Sequence, residues 1–210
     1  MKTILAFGDS NTWGLVPGSK PHVRYADDVR WTGVLQNKLS DTRVIEEGLC
    51  GRTTIFEDTY RPGRRALSVL PFILESQAPF DKAILMLGTN DCKSVYQSSP
   101  TEVAAGMEQC LVEVEKYLLP KDILLISPVL FGDEVWKKDP DFDRASITIC
   151  KELKSEYQKI ANRHGTRFLA ASDVVKVDTA DDEHLNEAGH KTLADVIADV
   201  ISDTIADKIF

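Results

Sequence analysis

Lys82-Ala83-Ile84-Leu85-Met86-Leu87-Gly88-Thr89-Asn90-Asp91 reads as a strand that stops on a glycine and opens into a polar turn. Ala83 to Leu87 contains no polar residue, so the strand has no face to offer water and must be covered on both sides. Related runs occur at residues 3–7 before Gly8, at 43–46 before Gly48, at Ile123–Ser127 and at Arg167–Ala170. Longer helical patterns separate them. Trp31, Val34, Leu35 and Leu39 recur at helical spacing and predict an amphipathic helix over 30–40. Residues 66–76 are apolar with helical spacing, and Pro71 either kinks that helix or starts its second half. Ser99, Pro100 and Glu102 form a capping-box signature for a helix that runs to Leu119 before Pro120. A long helix is expected over 144–163, with Gly165 as its left-handed cap. Ala188, Leu193, Val196, Ile197, Val200 and Ile201 mark a last one from Asn186 to the C-terminus. Five strands interleaved with helices, apolar on both faces, imply a parallel sheet in an α/β/α sandwich. No repeat, low-complexity tract or linker interrupts the pattern, so residues 1–210 read as one domain.

The polar turns after these strands carry the chemistry. Gly8-Asp9-Ser10, Gly88-Thr89-Asn90-Asp91 and Asp181-Asp182-Glu183-His184 all follow strands. In an open parallel sheet, strand C-terminal ends converge on one crevice, where motifs distant in sequence meet. The loop-rich stretches 15–29, 52–65 and 128–143 fall at the same end. Ser10, on the turn out of the first strand, is the candidate nucleophile; the bland alternative makes Asp9 and Ser10 ordinary helix N-caps. His184 is the candidate base, because an imidazole titrates in the range needed to take a serine proton and return it. Asp181 precedes it by three residues, the spacing of one helical turn, and suits the role of holding the imidazole tautomer. The alternative is a surface turn of acidic residues.

Asn90 offers a neutral amide donor and Gly51 an unobstructed backbone N–H, both suited to a carbonyl oxygen becoming an oxyanion. Each could instead be turn punctuation. His190 is a second possible base, but its place inside the terminal helix favours a structural role. Trp13 could wall a small acyl pocket or belong to the core. Cys92 reads as a packing thiol; the neighbouring Lys93 could lower its pKa, but no histidine lies nearby in sequence to act as its base.

Composition narrows the partners. The net charge of −8 argues against nucleic-acid backbones and anionic membranes, which demand clustered Lys and Arg. Arg61, Arg64 and Arg65 surround Pro62-Gly63 and read as a solvated loop. A chain of 210 residues buries roughly 70% of its unfolded surface, so a core forms without metal or disulfide staples. The four cysteines have no C-x-x-C spacing, which points to a reducing cytoplasm. The N-terminal apolar run ends before Asp9, shorter than the ~7–15 residues of a signal-peptide core. No run approaches the ~18 apolar residues of a membrane span.

Phe7-Gly8-Asp9-Ser10-Asn11-Thr12-Trp13-Gly14, Gly51 after Glu46-Glu47-Gly48-Leu49-Cys50, Gly88-Thr89-Asn90-Asp91 and Asp181-x-x-His184 together resemble the SGNH, or GDSL-like, hydrolases. The four blocks stand in the family's order over essentially the whole chain, and the surrounding stretches are most similar to its bacterial arylesterase and acyltransferase branch. The resemblance implies a three-layer, flavodoxin-like sandwich with a five-stranded parallel sheet of order 2-1-3-4-5. It implies Ser10, Asp181 and His184 as a triad, with the Ser10 N–H, the Gly51 N–H and the Asn90 side chain as oxyanion hole. It further implies a small-molecule ester substrate, no cofactor or metal, and a homo-oligomer that narrows the active-site entrance. One departure stands out: many relatives have Asn early in the second block, where this chain has Glu46-Glu47. The expected activity is hydrolysis of small acetyl-type esters, aryl esters included, through an acyl-serine. Transfer of the acyl group to alcohols, hydrolysis of sugar acetates, thioesters or lysophospholipids, and a non-catalytic binding module are the other readings.

Overall fold

A computed structural model describes residues 1–206. Five strands, β1 (Lys2–Gly8), β2 (Thr42–Gly48), β3 (Lys82–Met86), β4 (Ile123–Ser127) and β5 (Arg167–Ala170), form one parallel sheet of order β2-β1-β3-β4-β5. The helices are α1 (Ser10–Trp13), α2 (Trp31–Lys38), α3 (Ala66–Gln77), α4 (Pro100–Glu115), α5 (Val135–Lys138), α6 (Arg144–His164) and α7 (Glu187–Ala206). The expectation that the last helix reaches the C-terminus covers 207–210, which lie outside the described residues.

Strand side chains alternate between two cores, as a pleat with both faces covered requires. Leu5, Phe7, Ala83, Leu85, Ile123 and Leu125 pack with residues of α3, α4 and α6. Ile4, Ala6, Ile84, Met86, Leu124 and Ile126 point the other way, against α2 and α7. Fully burying one such aliphatic side chain is worth about 1.5–3 kcal/mol, so this double layer is the main source of cohesion. Register places the site: Gly8 aligns with Gly48 on one side and with Met86 on the other. Three strands therefore end at one level, and the chain leaving each of them enters the same crevice.

Local signals explain most helix ends. The Ser99–Glu102 box is formed at α4, a second box joins Asp143 and Ser146 at α6, and Gly165 caps α6 with φ +74°. α3 runs unbroken through Pro71, anchored by the fully buried Leu70 and Leu74. α4 stops at Glu115 rather than Leu119. The Tyr117 and Leu118 N–H groups both turn back to the Val114 carbonyl, while Tyr117 stacks on Phe80 at 5.8 Å. α1 and α5 span only four residues each, too short for an apolar period to announce them.

Candidate active site

The turn leaving β1 is shaped by close approach. A Cβ at Gly8 would lie 2.1 Å from Thr12 Oγ1 and 2.8 Å from the Met86 carbonyl, so only glycine fits. Asp9 then caps α1, its carboxylate accepting the Asn11 N–H at 3.0 Å. Ser10 is the first residue of α1 and 3% exposed. Its hydroxyl donates to His184 Nε2 at 2.8 Å, and His184 Nδ1–H donates to Asp181 Oδ2 at 2.8 Å.

Asp181 and His184 do not sit on a helical turn. They occupy a loop, residues 178–186, in which Asp182 adopts a left-handed φ of +61°. Asp181 Oδ1 accepts the N–H groups of Glu183 and His184, at 3.0 and 2.9 Å, which folds the loop around the carboxylate. Asn11, the residue after Ser10, ties this loop to the nucleophile turn. Its amide donates to the Glu183 carbonyl at 3.3 Å and accepts the Leu185 N–H at 3.0 Å. Its place within the first motif was the only signal available in the sequence. Burial works against the charged form of Asp181, yet hydrogen bonds from His184 and Glu183 hold its carboxyl well below the usual range. Burial also works against the His184 imidazolium. The charge of Glu183, the Asp181 hydrogen bond, and the charges of Asp181 and Asp9 outweigh it and raise the ring to about 9.

Ser10, Gly51 and Asn90, which carry the three candidate donors, line one cavity. Gly51 has φ +81°, and its N–H makes no hydrogen bond among the described residues. The Ser10 N–H is among those a helix start leaves without an intrahelical partner. Asn90 gives one amide N–H to the Arg52 carbonyl at 3.1 Å, which orients the amide and leaves its second N–H available. Behind them, Arg52 donates to the Gly8 carbonyl at 2.8 Å and to the Glu47 carbonyl, and stacks 4.1 Å over Phe7. Asp91 accepts the Thr54 N–H and hydroxyl, bracing the second motif against the third. Arg52 and Thr54 carry no signal in the sequence, and Asp91 is visible there only as the last residue of its motif, because their roles depend on partners far away in the chain.

Ser10, Gly51, Asn90 and His184 line a cavity of about 490 Å³. Trp13 does not line it. Its ring lies beneath the Arg24 guanidinium at 5.2 Å, near the end of β2, and Leu15 reaches the cavity instead. The arginine loop is not simply solvated: Arg61 lines the cavity, covers Gly51 and pairs with Asp58 at 3.0 Å. Lys93 pairs with Asp141 at 2.6 Å rather than with Cys92, which is buried and donates to the Gly88 carbonyl. Glu46 is held by Arg30 at 2.6 Å and by Thr32. His190 is fully buried, and its Nδ1 accepts the Trp31 N–H at 3.3 Å.

A family model for GDSL-like lipases and acylhydrolases matches residues 6–192. The chain belongs to the GDSL-like lipase/acylhydrolase family. Among solved structures, an aryl esterase from M. smegmatis is 36% identical with a TM-score of 0.87, over 97% of this chain and 99% of that one. A carbohydrate acetylesterase from Sinorhizobium meliloti is 33% identical with a TM-score of 0.89, over 97% of this chain and 100% of that one. A lipase/acylhydrolase from Enterococcus faecalis shares the fold at 18% identity and a TM-score of 0.72, over 97% of both chains. No curated protein sequence matches. Like its relatives, this GDSL-like hydrolase carries the five-stranded parallel sheet of order 2-1-3-4-5 between two helical layers. No helix among the described residues is long and apolar enough to cross a membrane.

Proposed function

We propose that this chain is a one-domain serine esterase that hydrolyses small acyl esters, acetyl and aryl esters among them, with Ser10 as nucleophile. The observation that carries the reading is the unbroken relay of Ser10, His184 and Asp181, at 2.8 Å per step, opening on a cavity. Ser10 Oγ attacks the ester carbonyl as its proton passes to His184 Nε2, and Asp181 stabilises the imidazolium. The Ser10 and Gly51 N–H groups and the Asn90 amide receive the oxyanion. His184 then protonates the leaving alcohol. Water, activated by the same imidazole, attacks the acyl-serine and frees the acid. The aryl esterase and carbohydrate acetylesterase neighbours support short acyl groups as substrates.

Two further features accompany the reading. Tyr60 and Val95, 94% and 75% exposed, stand at the cavity mouth and favour burial against a second copy, hence a homo-oligomer. Four unpaired thiols favour a reducing compartment, the cytoplasm.

The test is 4-nitrophenyl acetate hydrolysis together with fluorophosphonate labelling of wild type and Ser10→Ala. The expected result is labelled, active wild type and an unlabelled variant slower by on the order of 10⁴-fold or more. A Ser10→Ala preparation that keeps the wild-type rate overturns the reading.

A further inference from the structure

The acyl-transfer chemistry leaves one carboxyl in the cavity unused. Glu183 is 7% exposed and lines the cavity beside Ser10 and His184. Its backbone is committed, the N–H to Asp181 and the carbonyl to Asn11. Its carboxyl makes no hydrogen bond with any described residue. Among the described residues its single cationic contact is His184 Nε2, 3.7 Å from Oε1, and that nitrogen is already engaged by Ser10. Desolvating a carboxylate without a partner is costly, and burial pushes Glu183 up to about 7. Of the other basic residues lining the cavity, His22 makes no ion pair with Glu183 among the described residues, and the arginine and the lysine are already taken, Arg61 by Asp58 and Lys93 by Asp141. Glu57 and Asp139 also line it, and neither has an ion-pair partner among the described residues. Negative charge is in excess where the substrate must lie.

Position assigns the excess to one end of the substrate. Nε2 hands its proton to the leaving alcohol oxygen, so a carboxyl 3.7 Å from Nε2 is within reach of the first carbons of the alcohol. We propose that Glu183 is a specificity-determining residue that selects esters whose alcohol carries a cationic ammonium centre a few bonds from the ester oxygen. The inference rests on the esterase reading and specifies its leaving group. A cation there supplies the counter-charge that the protein withholds, in a site where low dielectric strengthens the attraction.

The test pairs two acetyl esters of the same shape, 2-(trimethylammonio)ethyl acetate and 3,3-dimethylbutyl acetate, which differ by a quaternary nitrogen in place of carbon. Wild type is expected to favour the cation in kcat/KM by on the order of tenfold or more. In Glu183→Gln the ratio falls towards one. A ratio taken at one pH cancels any change in His184 ionisation or in the folded fraction. A ratio near one in wild type, or a preference kept in Glu183→Gln, overturns the inference while hydrolysis of the neutral ester leaves the esterase reading standing. Hydrolysis of neither ester overturns the inference, and 4-nitrophenyl acetate then decides whether the esterase reading stands. If Glu183→Gln fails to fold, competitive inhibition of wild type decides: tetramethylammonium must inhibit more strongly than tert-butyl alcohol, and equal inhibition overturns the inference.

Discussion

The loop that carries His184 and the helix α7 that carries His190 bury two imidazoles six residues apart, and drive them in opposite directions. His184 is 5% exposed and His190 fully enclosed, so burial lowers both. At His190 nothing opposes it: the positive charges of His184 and Arg30 add to desolvation, and the ring falls to about 4. His190 stays neutral, accepts the Trp31 N–H and packs edge-on against Tyr25 at 5.4 Å. At His184, carboxylates around the ring reverse the effect and raise it to about 9. Enclosure alone makes a structural histidine. A base requires charge aimed at the ring and a hydroxyl at its free nitrogen.

Exchanging each histidine for alanine puts the largest effect on this comparison. His184→Ala should lower kcat for 4-nitrophenyl acetate by on the order of 10⁴-fold or more. His190→Ala should cost less than about tenfold in kcat while lowering Tm, since the buried Trp31 N–H loses its acceptor at about 1–3 kcal/mol. Reversed sensitivities would break the comparison. Asn90→Ala comes next, with a loss of roughly 100- to 1000-fold in kcat from one missing oxyanion donor. Because the role proposed for Asn90 is on the substrate oxygen rather than on either ring, the pH profile of the variant should keep the wild-type shape. A loss of about tenfold or less would take Asn90 out of the oxyanion hole.

The parts legible in the sequence were those written in contiguous residues. β4 and β5 match their expected limits: β4 is buried along its whole length, and β5, half-buried over Arg167–Leu169 at the sheet edge, still starts just after the Gly165 stop. That Ser10, Asp181 and His184 would meet was readable from residue type and from position after strands. The reason given for the Asp181–His184 spacing was wrong in kind: the two meet through a non-helical loop closed by Asp181 itself. What stayed hidden depends on orientation between distant segments. Asn11 bridging to Glu183 and Leu185, Arg61 covering Gly51, and Trp13 turning to Arg24 instead of the cavity are decided only once the sheet brings their partners together.

The smallest expected effect tests the charge that separates the two rings. A general base must be neutral, and His184 is raised to about 9, so kcat/KM should fall about tenfold per pH unit below that value and level off above it. Glu183 heads the contributions that raise the ring, ahead of Asp181 and Asp9. Removing its charge with Glu183→Gln should move the limb to lower pH by about one pH unit, measured on a neutral ester. Superimposable profiles for the two proteins would mean that this carboxyl is not felt at the ring. Stability should run the opposite way. A group raised on folding stabilises fully below its unfolded pKa of about 6.5, and that contribution is lost as pH climbs through about 9. Wild type therefore gains activity over the window in which it loses the stabilisation from a charged His184. In Glu183→Gln both the activity limb and the loss of stability should shift down together, since one proton on one nitrogen governs them.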